Sequence, residues 1–188
     1  MIMWVRHGEK LLLSLSPEGV RFLREQWSAL RDLVRRQLSC CSTDPLAELT
    51  GLPVPTGPID WRLACVVDYW CGTEERGPIR QVWEGQLLEG LEHALSRVLG
   101  MLPRCGGVAT LPDWEHPATA EWGLMLETLY VVLDVSDRMR RPGHREGVPG
   151  PRTAPASLDN CQLSLRWLEL VLDTLVQAEC RTSAQTAP

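Results

Sequence analysis

Seven cysteines, Cys40, Cys41, Cys65, Cys71, Cys105, Cys161 and Cys180, are the residues of this chain best suited to chemistry. A thiol can hold a metal, form a bridge or respond to an oxidant, and spacing decides among these. Structural zinc takes four Cys or His ligands in paired, closely spaced sets. Cys40 and Cys41 are adjacent, which points their side chains apart, and Cys65 and Cys71 lie six apart, with Cys105 more than thirty residues further on. No metal site and no other cofactor are expected from this pattern, and no Cys-x-x-Cys redox loop is present. Oxidation chemistry remains open. If Cys65 lies inside a helix and Cys71 at its frayed end, ideal geometry separates their Cα atoms by about 9 Å. A disulfide needs less than about 7 Å, so bridging them would unwind the last turn, a strain that suits a switch. Cys161 and Cys180 fall on one helix about 28 Å apart and cannot pair within one copy. Cys40, Cys41 and Cys105 fall near helix ends, where exposure favours reactivity. The redox candidates are therefore Cys65, Cys71, Cys40, Cys41 and Cys105. Each also has a plainer reading as a small buried hydrophobe.

A second constellation is Val5-Arg6-His7-Gly8-Glu9, followed by Leu15-Ser16-Pro17-Glu18-Gly19. It resembles the opening of histidine phosphatases, in which Arg-His-Gly ends the first strand. That resemblance implies His7 as nucleophile and Arg6 neutralising phosphate oxygens, with a second histidine and further arginine from later strands. The later histidines are predicted in a helix (His93), before a proline (His116) and in a linker (His144), and the alternating strands of an α/β sheet are missing. A hairpin turn explains the same residues. Glu84, Glu89 and Glu92 read as the polar face of a helix, with no partner pattern that marks acid–base catalysis. Arg138, Arg140, Arg141, Arg145 and Arg152 lack interleaved aromatics and a preceding helix-turn-helix, so they read as part of a solvated connector rather than a nucleic-acid surface.

The elements that must position these groups are mostly helical. Ile2–Arg6 and Leu11–Leu15 alternate as two strands around a turn in which Gly8 can supply positive φ. Ser16-Pro17 reads as N-cap and first helical position of a helix to about Leu38, whose buried stripe is Val20, Leu23, Trp27, Leu30 and Val34. A connector with four prolines, residues 43–58, follows, with a helical turn expected at Leu46–Leu49. The next helix is expected over Ile59–Trp70. A third, from Glu74 or Pro78 to Leu102, carries the stripe Ile79, Trp83, Leu87, Leu91, Leu95, Val98 and Leu102. Residues 106–111 read as a turn and a short strand able to join the hairpin. A fourth helix from Pro117 to about Met139 buries Trp122, Leu126, Leu129 and Leu133. Residues 141–156, rich in Pro, Gly and Arg, read as a flexible linker. The last helix, Leu158 to about Glu179, places Leu158, Cys161, Leu165, Leu168, Leu172 and Leu175 three and four apart, a stripe expected to pack within the same chain.

The whole is therefore expected to be one mainly α domain over residues 1–188, a bundle of about five helices with a small N-terminal β-hairpin joined by a third short strand. At 188 residues such a domain has room for a core that does not depend on disulfides. The net charge of −5, carried against eighteen arginines and one lysine, does not favour long-range attraction to nucleic acid. No apolar run has the length to cross a bilayer, so no membrane association is expected. Met1–Lys10 lacks the layout of a secretory signal, so a reducing cytoplasm is the expected location.

The order of segments carries a broader resemblance. Trp4-Val5-Arg6 and Leu11–Leu15 run into Pro17-Glu18; Asp44-Pro45-Leu46 precedes Arg62-Leu63 and Asp68-Tyr69. Then come Ile79-Arg80, Leu87–Leu91, Val98-Leu99, Leu102-Pro103 and Gly106-Gly107-Val108, and finally Ala120-Glu121-Trp122, Leu126–Leu133, Asp137-Arg138 and Trp167-Leu168. From Trp4 to about Val176 this resembles the actinobacterial AosR-type oxidative-stress regulators, a family first catalogued as a domain of unknown function. The resemblance implies a redox-responsive transcriptional regulator that is not an enzyme. It would act through a protein partner such as an alternative sigma factor or RNA polymerase, with DNA contact indirect or weak, as a monomer or homodimer. An alternative is a non-catalytic interaction module without redox sensing. The eight tryptophans supply candidate interface anchors in either case.

Overall fold

The computed structural model describes residues 3–7, 10–42, 54–55, 59–71, 78–112, 116–140 and 160–185. Among these are five strands and five helices: β1 (Met3–His7), β2 (Lys10–Leu15), α1 (Pro17–Ser39), β3 (Cys41–Ser42), β4 (Val54–Pro55), α2 (Trp61–Cys71), α3 (Pro78–Met101), β5 (Gly107–Leu111), α4 (Pro117–Arg140) and α5 (Asn160–Gln185). The fold is mainly helical with a small antiparallel sheet, as the periodicities predict.

Alternation builds the sheet. Its order is β1-β2-β5, with Trp4 opposite Leu13, Leu13 opposite Ala109, and Leu11 opposite Leu111. Those five side chains and Leu15 are buried, while Val5, Ser14, Val108 and Thr110 between them face outward. A period of two thus gives the sheet one apolar face, which the helices cover. The residues of the hairpin turn, Gly8 and Glu9, lie outside the described residues.

Helix α1 begins as its sequence predicts. Ser16 is extended, its Oγ accepts the Gly19 N–H at 3.1 Å, and Pro17 opens the first turn. Val20, Leu23, Trp27, Leu30 and Val34 are all buried. The helix lies antiparallel to α3: Arg24 donates to the carbonyl of Pro103 at 2.9 Å, and Arg35 donates to Glu92 at 2.7 Å. At the far end of this pair Gly106 passes tightly over Pro17. A Cβ at Gly106 would sit 2.8 Å from both the ring Cδ and the backbone N of Pro17, so only glycine fits. The next residue, Gly107, has φ +149, which also favours glycine.

The core continues through the other helices. Trp122 of α4 sits edge-to-face against both Trp27 and Trp4, at 5.2 and 6.5 Å between ring centres. Trp27 donates its indole N–H to the carbonyl of Met125 at 3.3 Å. Helix α5 packs on α4 and on β1 and buries Leu168, Val171 and Leu175 within the same chain, while Leu158 and the Cys161 side chain of its stripe lie outside the described residues. Helix α2 packs chiefly on α4. Its start is two residues later than Ile59: Asp60 accepts the Ala64 N–H through its backbone carbonyl and the Arg62 N–H through Oδ1, which caps the first turn. Val54–Pro55, inside the stretch read as a connector, pair with Cys41–Ser42. The expected turn at Leu46–Leu49 and the linker 141–156 lie outside the described residues.

One phase assignment needs correction. The buried face of α3 is Leu88, Leu91, Ala94, Leu95, Val98 and Leu99, continued by Leu102 just past its end, and Glu84 joins it at 6 % exposure instead of lying on the polar face. Trp83, expected to be buried, is 59 % exposed. The spacing 84-88-91-95-98 competes with 83-87-91-95 because apolar side chains surround this helix. The packing of α1 and α4 selects the first register.

Candidate functional site

Exposed and core-edge residues of α3 together line a groove. Trp83, Leu87, Gly90, Leu91 and Ala94 of α3, Val66 and Trp70 of α2, and Leu124, Met125 and Thr128 of α4 line it. The space is about 560 Å³ and partly open to solvent. A Cβ at Gly90 would meet nothing within 4 Å, so the middle of the trough is empty. The polar groups around it are mostly engaged. Thr128 donates its hydroxyl to the carbonyl of Leu124 at 2.7 Å, and Arg97 donates to Glu121 at 2.8 Å across the end away from Trp83.

Aromatic surface extends from this groove over α2. Trp70 stacks edge-to-face on Tyr69 at 4.9 Å, and Tyr69 is 55 % exposed. Trp61 is also exposed and carries the Arg62 guanidinium over its ring at 5.8 Å. Asp60 accepts from that guanidinium at 3.0 Å. The Arg62 hydrogen bond holds the Asp60 carboxyl below its ordinary range. Trp61, Cys65 and Tyr69 recur every four residues and so share one face of α2.

The three described thiols, Cys40, Cys65 and Cys105, lie on separate elements. Cys65 is half-buried, and burial, with Asp68 nearby, pushes its pKa up, which disfavours the reactive thiolate. Cys40 follows the last turn of α1 and is exposed. Cys105, also exposed, precedes the Gly106 that abuts Pro17 at the other end of α1. A helix of 23 residues is about 34 Å long, so Cys40 and Cys105 cannot bridge within one copy. Cys65 and Cys71 lie in one helix, six residues apart, so an intrachain bridge there would require unwinding. Cys41 lies in β3, and its side chain, like those of Cys71, Cys161 and Cys180, is outside the described residues. Among the described residues no three His, Cys, Asp or Glu side chains gather as a metal site.

His7 ends β1 and is exposed. His93 lies on α3 with Nδ1 2.9 Å from the carbonyl of Glu89, and His116 Nδ1 accepts the Ala118 N–H at 3.2 Å ahead of α4. The strands beside His7 are antiparallel throughout. Arg138 is paired with Asp134 at 2.7 Å, while Arg141, Arg145, Arg152 and His144 lie outside the described residues.

No family model, no curated protein and no solved structure matches this chain.

What the site offers is therefore shape and apolar area. Apolar surface gathered into a concave patch with aromatic anchors is a feature of binding sites. The groove was hidden in the sequence because its residues, Trp83 and Leu87 above all, fit a core stripe equally well. The signal able to reveal it is that α3 carries more apolar faces than one packing partner can cover. No helix among the described residues is long and apolar enough to cross a membrane.

Proposed function

We propose that this chain is a non-catalytic transcriptional regulator that works by docking a protein partner, such as an alternative sigma factor or RNA polymerase, and whose docking responds to oxidants. One observation carries the docking half: the α2–α3–α4 groove with Trp70 and Trp83 exposed along it. Large aromatic side chains in partly enclosed surroundings supply most of the binding energy of protein interfaces. The acidic net charge of −5 favours a protein partner over unaided reading of DNA. The redox half is supported by the resemblance to AosR-type regulators and by position. Cys65 lies between Trp61 and Tyr69 and precedes Val66 in the groove wall, so a group added to its sulfur would alter the docking surface.

A second reading, an interaction module indifferent to oxidants, is favoured by the raised pKa of Cys65 and by the separation of Cys40 from Cys105. One experiment separates the two. The full chain is treated with peroxide, all seven cysteines are mapped by mass, and capture of sigma factor or RNA polymerase is compared before oxidation, after it, and after reduction. The regulator reading expects reversible modification at one or more thiols and a capture that changes with it. Unmodified thiols with an empty capture in every state would sink it, and capture that ignores the thiol state would select the module. A phosphomonoester turned over by the chain and lost in His7→Ala would instead establish the histidine phosphatase reading.

A further inference from the structure

We propose that two copies of this chain associate through the outward face of α5, laid antiparallel about Leu170. This goes beyond the docking of a transcription protein, since the groove lies on α2, α3 and α4. Leu168, Val171 and Leu175 turn one side of α5 into the core. On the other side the exposed positions Leu163, Arg166, Leu170, Asp173 and Gln177 recur three and four apart. That is the spacing of a seam at which two helices pack side by side, about 21 Å or four turns long. Leu163 and Leu170 are 50 % and 54 % exposed. Among the described residues no partner meets the side chain of Arg166 or Asp173, whereas Arg35, Arg62, Arg97 and Arg138 are all in ion pairs.

The order of these five residues selects a second copy as the occupant, because the seam complements itself when reversed about Leu170. An antiparallel copy sets Leu170 on its own counterpart, Arg166 on Asp173 of the other copy, and Leu163 on the aliphatic stem of Gln177. Arg166 stands four residues before the centre and Asp173 three after it. Their levels therefore differ by one residue, about 1.5 Å, which a long guanidinium side chain spans. The twofold makes this ion pair twice, once on each side of the central leucines. A parallel copy would instead put Arg166 on Arg166 and Asp173 on Asp173, like charges that oppose binding. Glu169 of the two copies meets at the rim, but each accepts the Tyr130 hydroxyl at 3.1 Å and stands one turn from an Arg166. The net charge of −5 repels two copies only weakly, because salt screens exposed charges beyond about 8 Å at physiological strength. One helix face of this length is a small interface, so the dimer is a reversible one.

The test is sedimentation equilibrium of the full chain over about 5–500 µM in about 0.15 M salt, with reductant present so that no disulfide links two copies. The wild type is expected to pass from monomer to dimer across this range. Leu170→Glu, at an exposed position, is expected to remain monomeric with an unchanged circular dichroism spectrum. Arg166→Asp and Asp173→Arg should each weaken the dimer about tenfold, since each turns two attractive contacts into two repulsive ones. The double variant Arg166→Asp/Asp173→Arg should regain the wild-type affinity to within about threefold, a recovery that loss of helix stability would not give. A wild type that stays monomeric at every concentration would overturn the proposal, as would a dimer that Leu170→Glu leaves intact. Single reversals without effect would mean a parallel seam or another face, and a double variant no tighter than the singles would remove the ion pair; either result rejects the arrangement. The measurement contains no transcription protein, so its failure leaves the docking reading standing and the failure of that reading leaves the dimer standing.

Discussion

Glu92 ties α3 to α1 at the level of single side chains, accepting from Arg35 at 2.7 Å and from the Ser96 hydroxyl at 3.1 Å. The Arg35 hydrogen bond, then that of Ser96, holds its carboxyl below the ordinary range. The folded chain therefore binds this proton less readily than the unfolded chain. The resulting stabilisation is complete above the ordinary carboxylate pKa and is lost as pH falls through the depressed folded value. Arg35 is half exposed, so screening keeps the effect under about 1 kcal/mol. Glu92→Gln is expected to lower stability in urea denaturation at pH 7, with the gap to the wild type narrowing as pH falls below the ordinary carboxylate range. A gap that does not change with pH would assign the effect to packing instead. Residue identity was readable here, since a glutamate on α3 was expected at the surface. The arginine that meets it, 57 positions away, was not.

Elements were legible where a single neighbour decides their face. The hairpin strands and α1 have one apolar side each, and the structure buries the residues their spacing selects. Helix α3 is the exception, because its apolar positions satisfy two registers and its neighbours choose between Glu84 and Trp83. The join between α3 and β5 is likewise a matter of contact. Gly106→Ala must push a methyl group against the backbone and ring of Pro17, and overpacking of this kind costs about 1–3 kcal/mol. Gly100→Ala, on the exposed side of α3 with nothing within 4 Å, is expected to gain about 0.5–1 kcal/mol from helix propensity. Chemical denaturation of both variants checks the pair, and equal stability of the two would refute the close approach at Gly106.

On the scale of the whole molecule, Trp122 joins α4 to α1 through Trp27 and to the sheet through Trp4. It is fully buried, so Trp122→Ala removes a large side chain from the meeting point of three elements. The expected cost is about 3–5 kcal/mol, a large share of the stability of a typical domain. The indole N–H groups of Trp4 and Trp122 have no acceptor among the described residues, whereas that of Trp27 does. Trp122→Phe is accordingly expected to cost less than Trp122→Ala, keeping an aromatic edge against both neighbours without a buried unpaired donor. Denaturation midpoints of the two variants decide this, and an Ala variant within about 1 kcal/mol of the wild type would dismiss the cluster as the organising contact.

Local chemistry in the chain was enough to determine the helical class, the capped start of α1, the alternating strands and the hairpin that a third strand joins. Those features depend on propensity and on periods of two or 3.6, which neighbours in sequence specify. Only the tertiary structure decided which apolar face of α3 is core and which is groove, that Cys40 and Cys105 stand at opposite ends of α1, and that Cys65 lies beside the groove wall. Periodicity marks an apolar face as one to be covered, while the identity of the cover depends on elements tens of residues away and on the directions in which they pack.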